Sequence, residues 1–142
     1  MTRTDAAIKT ILTSTRVIAL VGWSPKPDRP SNHVAEFLHS RGYRVIPVNP
    51  GAAGKTAHGE VVRASLADID APVDMVDIFR RSDAVLPVVE QALAHLPGLR
   101  TIWMQLGVEN AEAAALALSH GLQVVQNRCP AIEIPRLIEI PD

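Results

Sequence analysis

The stretch VGWSPKPDRPSNHV, residues 21–34, carries Gly22, Ser24, Lys26, Arg29 and Ser31 in close succession. Residues of these types, so spaced, can bind an anion. Gly22 lets the backbone approach a ligand where a strand ends. Ser31, expected as the N-cap of a following helix, stands where free N–H groups and the helix dipole favour negative charge. Lys26 and Arg29 can add charge-assisted bonds to phosphate oxygens. Pro25, Pro27 and Pro30 stiffen a loop that glycines would leave mobile. The glycines of the dinucleotide fingerprint G-x-G-x-x-G are missing. A rigid surface turn whose serine only caps a helix fits the same composition.

Three further segments end apolar runs in the same manner. In VNPGAAGK, Asn49 takes the place where NAD-binding domains carry an acidic residue against the ribose 2'-hydroxyl. A carboxylate would repel a ribose phosphate. Asparagine does not, and Lys55 attracts one, although a solvated loop lysine is the simpler reading of Lys55 alone. In DIFRRS, Phe79 can pack on an adenine and Arg80 can meet a phosphate; a core phenylalanine and a surface arginine account for them equally well. In WMQLG, Trp103 and Gln105 share a face, being two apart on a strand. Trp103 can equally fill the core.

No catalytic constellation emerges. Asp74 and Asp77 are three apart on one expected strand and point to opposite faces, so they form no acid–base pair, and one of them is expected to orient a loop by hydrogen bonds. His33, His39, His58, His95 and His120 lack metal-ligand spacing, and no metal is expected. Glu133 and Arg136 read as a local i,i+3 ion pair. Cys129 precedes the last helical turn, where a thiolate is favoured. Two readings of it stay open: a small, buried, inert cysteine, which is preferred because no base is identifiable beside it, and a nucleophile or mixed-disulfide site.

The elements that must position these residues alternate. A leading helix is expected over residues 5–13. An almost continuous apolar run, RVIALVGW, reads as a strand buried on both faces. A helix starting at Ser31 and stopping at Gly42 follows, then the strand YRVIPVNP. Residues 51–60 read as loop, with Val61 and Val62 as at most a short extension. VDMVDIF is a third strand, Ser82 is expected to cap a helix over residues 83–95, and LRTIWMQLG is a fourth strand. VENAEAAALALSHG is helical, LQVVQ is a fifth strand, and CPAIEIPRL is a short last helix or turn interrupted by Pro135. Strands alternating with helices predict a single α/β Rossmann-like, doubly wound domain over residues 1–142, core about 14–138, with a five-stranded, mainly parallel sheet of order 3-2-1-4-5. Ligands of such sheets bind beyond the carboxyl ends of the strands, where these loops lie.

Composition narrows the partners. The 142 residues make one ordinary domain, 47% hydrophobic and 20% charged. The formal net charge of -1, without a block of like charge, argues against broad attraction to nucleic acid or an anionic membrane. No apolar run approaches the roughly 20 residues that span a bilayer. A single cysteine and a polar start without a signal-peptide core suit the cytoplasm.

Taken together, VGWSPKPDRPS, GYRVIPVNP, VDMVDIFRRS, WMQLGVENAEAA and GLQVVQNRCPAIEIPRL resemble the CoA-binding domain family in its small stand-alone bacterial form. They are similar to the nucleotide-binding domain of the succinyl-CoA synthetase alpha subunit. The resemblance covers about residues 14–138 and implies coenzyme A or an acyl-CoA as ligand. By that resemblance, the loop from Gly22 through Trp23, Ser24, Lys26, Arg29 and Ser31 cradles the pyrophosphate. Val48, Asn49 and Lys55 surround the adenosine and its phosphate. Ile78, Phe79 and Arg80 line the next part of the groove, with Trp103 and Gln105 nearer the pantetheine. The ligase relatives phosphorylate a histidine in a second domain that this sequence does not contain, so a binding module is expected. A small NAD(P)-dependent oxidoreductase and a CoA-sensing accessory subunit, with a protein partner, are the alternatives.

Overall fold

A computed structural model describes residues 4–139, so the two ends of the domain expected over 1–142 lie outside the described residues. Helix α1 (Asp5–Ser14) starts at Thr4, whose side chain accepts the Ala7 N–H, and leads into β1 (Val17–Val21). Helix α2 (Pro30–Ser40) and β2 (Arg44–Val48) follow. A hairpin of two-residue strands comes next, β3 (Thr56–Ala57) and β4 (Glu60–Val61). Then come β5 (Met75–Ile78), α3 (Val85–His95), β6 (Thr101–Met104), α4 (Ala111–Ser119), β7 (Gln123–Val125) and α5 (Pro130–Leu137).

The main sheet has five parallel strands in the order β2-β1-β5-β6-β7. Beyond β2, Arg63 adds a single parallel bridge to Val48. With that bridge counted as position three, the positions run 3-2-1-4-5-6, so the expected 3-2-1-4-5 pattern is present and β7 is added as a sixth position at the far edge. The segment 73–79 therefore pairs with β1 and does not stand at the edge. The strand order reverses between β1 and β5, which fixes where the ligand crevice opens.

Side-chain alternation along each strand sorts the core into two layers. Ala19, Val21, Ile46, Val48, Val76, Ile78, Ile102 and Met104 pack under α3 and α4. Ile18, Leu20, Val45, Met75, Trp103 and Val125 pack under α1, α2 and α5. Helices on both faces explain why the strands read as continuous apolar runs.

Four local expectations differ from the structure. Ser31 is not the N-cap of α2: Arg29 holds that place without a side-chain cap, and Pro30 takes the first helical position, where its missing N–H is harmless. Ser82 does not cap α3; it opens a 3-10 turn, and its hydroxyl accepts the Glu109 N–H at 3.0 Å, tying the β5 loop to the β6 loop. Residues 51–60 are not all loop, since they contain the end of a 3-10 turn at Pro50–Ala52 and most of the hairpin. Finally, α5 runs through Pro135, which lies on its exposed side.

Candidate functional site

Two adjoining depressions open at the carboxyl end of the sheet and share Gly22 and Phe79. Their common floor depends on Gly22. Its φ is +88°, and a Cβ there would run into the Phe79 carbonyl oxygen, so no other residue fits without moving the β5 loop. The chain turns because β1 ends here: Gly22 and Trp23 N–H both point at the Val48 carbonyl, at 3.0 and 3.3 Å.

The smaller depression, about 340 Å³, is lined by Gly22, Ser24, Lys26, Arg29, Pro30, Ser31 and Phe79. Ser31 lies in the first turn of α2, buried, and its Oγ accepts the Ser24 N–H at 3.0 Å. Asn32 Nδ2 donates to the Ser24 carbonyl at 2.9 Å, and the Lys26 N–H donates to Ser24 Oγ at 3.2 Å. The proline-rich loop is thus strapped to the helix start. Lys26 and Arg29 are exposed, and neither enters an ion pair among the described residues. Two unpaired cations, two hydroxyls and a helix N-terminus can hold a phosphate or pyrophosphate.

The larger depression, about 590 Å³, lies on the α3 side of the sheet. Val21, Val48, Leu66 and Val88 give it apolar walls; Asn49, Ser65, Arg80 and Gln91 are its polar groups. Such a slot, apolar with a few polar groups, suits a flat heterocycle. Asn49 itself is committed to the protein: Nδ2 donates to the Trp23 carbonyl at 2.6 Å and Oδ1 accepts the Gly51 N–H at 2.8 Å. It clamps the β1 loop to the β2 loop.

Of the residues expected at the site, Gly22, Ser24, Lys26, Arg29, Ser31, Val48, Asn49, Phe79 and Arg80 line these depressions. Five do not. Lys55 is exposed beside the hairpin, outside both. Ile78 points into the core under α3 and α4. Trp23, Trp103 and Gln105 are buried on the opposite face, with Trp103 Nε1 donating to the Arg128 carbonyl at 2.8 Å. Sequence reasoning missed Ser65, Leu66, Val88 and Gln91. Ser65 opens a capping box with Asp68, an S-x-x-D spacing visible in the sequence; the α3 residues carry no comparable signal.

Two buried groups behind the floor have shifted acidities. Burial holds the Asp77 carboxyl well above the usual carboxylate range. Burial likewise pushes the Cys129 thiol up, against the pull of the Gln105 side chain and the Ala131 and Ile132 N–H groups.

The comparisons with known proteins agree with this architecture. The chain is 38% identical over 124 residues to the Bacillus subtilis protein YneT, covering 87% of this chain and 89% of that one. A Pyrococcus horikoshii OT3 structure superposes with a TM-score of 0.88 at 39% identity, over 96% of this chain and 93% of the other. Acetyl-coenzyme A synthetase 1 of Ca. Korarchaeum cryptofilum matches with a TM-score of 0.64 and 26% identity; 76% of this chain covers only 25% of that enzyme. Residues 16–135 match the CoA binding domain, and the chain belongs to that family.

Proposed function

We propose that this protein binds coenzyme A or an acyl-CoA as a module without acyl-transfer chemistry of its own, in the cytoplasm. The observation that carries this reading is the joining of an unpaired cationic pocket to an apolar slot across Gly22 and Phe79. The pyrophosphate lies against Ser24, Lys26, Arg29 and the start of α2. The adenine occupies the slot beside Val48, Leu66 and Val88, with Arg80 and Ser65 in reach of the ribose and its phosphate. Family membership and the match to a region of an acetyl-coenzyme A synthetase support the ligand class. A nicotinamide dinucleotide is disfavoured by the absent glycine fingerprint and by Asn49 in the acidic position.

Titration calorimetry with CoA, acetyl-CoA, NAD and NADP tests it. CoA or acetyl-CoA should bind more tightly than either dinucleotide. Replacing both Lys26 and Arg29 by alanine should weaken CoA about tenfold or more, since each removes a charge-assisted bond. A dinucleotide outcompeting CoA would overturn the reading.

A further inference from the structure

Beneath the carboxyl edge, on the face of the sheet under α2 and α5, three polar side chains are buried together: Asp77, Gln105 and Cys129, at 0%, 6% and 6% exposure. Asp77 sits mid-sheet between Leu20 and Trp103, and neither of its carboxyl oxygens has a hydrogen-bond partner. Gln105 Oε1 lacks one as well. The Gln105 side chain is hydrogen-bonded to the Cys129 thiol, and Asp77 stands near enough to influence it. Cys129 is the N-cap residue of α5. Buried polar groups are nearly always satisfied, so three orphaned oxygens around one thiol call for a cause.

Their position supplies one. Phe79, two residues beyond Asp77, packs on the same core cluster as Cys129, while it also lines the phosphate pocket. The strand ends follow one another along the edge: the Phe79 N–H bonds the Val21 carbonyl, the Gln105 N–H bonds the Ile78 carbonyl, and the Arg128 N–H bonds the Met104 carbonyl. Three strand spacings of about 4.8 Å therefore separate the phosphate pocket from Cys129. A ligand with a pyrophosphate at one end and sulfur on a long arm can reach both.

Resting on the CoA reading above, we propose that Cys129 is a thiol–disulfide exchange site for the sulfur end of a CoA disulfide. Movement of Phe79 admits the arm. The Cys129 sulfur attacks the ligand disulfide, a Cys129–S bond forms, the ligand S–S bond breaks, and the second half of the disulfide leaves as a thiol. Asp77 hands its proton to the departing sulfur and takes up the one Cys129 loses, and Gln105 steadies the attacking sulfur. Cys129 is oxidised and the leaving sulfur is reduced, so the disulfide is the only oxidant needed. Burial protects the same thiol from disulfides that lack the anchoring phosphates.

The test uses the full chain and intact-mass spectrometry. Because Cys129 is the only cysteine, any adduct is located by mass alone. CoA disulfide should add one CoA per chain, reversibly with reductant, at least tenfold faster than glutathione disulfide adds glutathione. Asp77→Asn should slow the exchange tenfold or more while leaving the half-saturating concentration of CoA disulfide unchanged. Phe79→Ala should narrow the preference by admitting glutathione disulfide. If CoA binds in calorimetry under reducing conditions but no adduct forms, or the two disulfides react at equal rates, the exchange site is wrong and the binding reading stands. If CoA does not bind, both fall.

Discussion

Asp74 and Asp77 are three residues apart at opposite ends of one strand segment, and they live in opposite circumstances. Asp74, at the amino edge, accepts the N–H groups of Arg16 and Val17, each at 2.9 Å, and a guanidinium N–H of Arg100 at 3.2 Å. Partial burial pushes its carboxyl up, yet these donors hold it below the usual range. Asp77, at the ligand edge, has no donor and is held far above that range. The first carboxylate is a structural fastener that ties the entry of β1 to β5. The second destabilises the fold where it stands, which is the mark of a group kept for a ligand. Along this one segment the satisfied carboxyl stands at the amino edge and the unsatisfied one toward the edge where the ligand crevice opens.

The sharpest way to break this contrast is to remove the fastener. Asp74→Ala frees two backbone N–H groups at the start of β1 and one guanidinium. We expect a loss of about 3 kcal/mol in urea denaturation, near the sum of two charged hydrogen bonds reduced for partial exposure. A loss below about 1 kcal/mol would show that water replaces the carboxylate and that the amino edge needs no fastener.

The second test acts on the orphan. A carboxyl raised in the folded state binds its proton more tightly there, so its full contribution is present below the unfolded value near 3.9 and is lost as pH rises toward the folded value. Each pH unit in that window costs about 1.4 kcal/mol. Asp77→Asn should therefore match the natural protein in stability near pH 4 and exceed it by more than about 1 kcal/mol at pH 8. Equal melting curves at both pH values would place Asp77 in a polar setting and remove the contrast.

How far this was readable beforehand depends on whether the deciding interaction is local. The five strands show as apolar runs because both sheet faces are covered, and the loop from Gly22 to Ser31 shows its anion-binding chemistry in its own residue types. The hairpin did not show, because two-residue strands carry no periodicity. Ser31 stands two positions past the cap: Arg29 is the N-cap and Pro30 starts the helix, which leaves Ser31 free to hold the loop. Lys55 follows the right strand, but the hairpin carries it away from the groove. The slot walls, Leu66 and Val88, come from segments that only the fold brings together. The state of Asp77 depends on Leu20 and Trp103 across two neighbouring strands. A carboxylate in an apolar run could be seen; that no donor would meet it could not.

The mildest test separates the two kinds of bond at Asp74. Arg100 is half exposed, and it also donates to the Ser14 carbonyl at 2.7 Å. If the ion pair fixed Asp74, removing the arginine would reproduce much of the Asp74→Ala loss. The backbone donors of Arg16 and Val17 are shorter and preorganised by the sheet, whereas the guanidinium must give up side-chain freedom and is screened by water. Arg100→Ala should therefore lower stability by only about 0.5 kcal/mol, and added salt should shrink the difference further. A loss close to that of Asp74→Ala would mean that charge pairing, not the backbone, makes the amino edge rigid. A small loss would leave the backbone donors, the one feature Asp77 lacks altogether, as what distinguishes the two carboxyl groups.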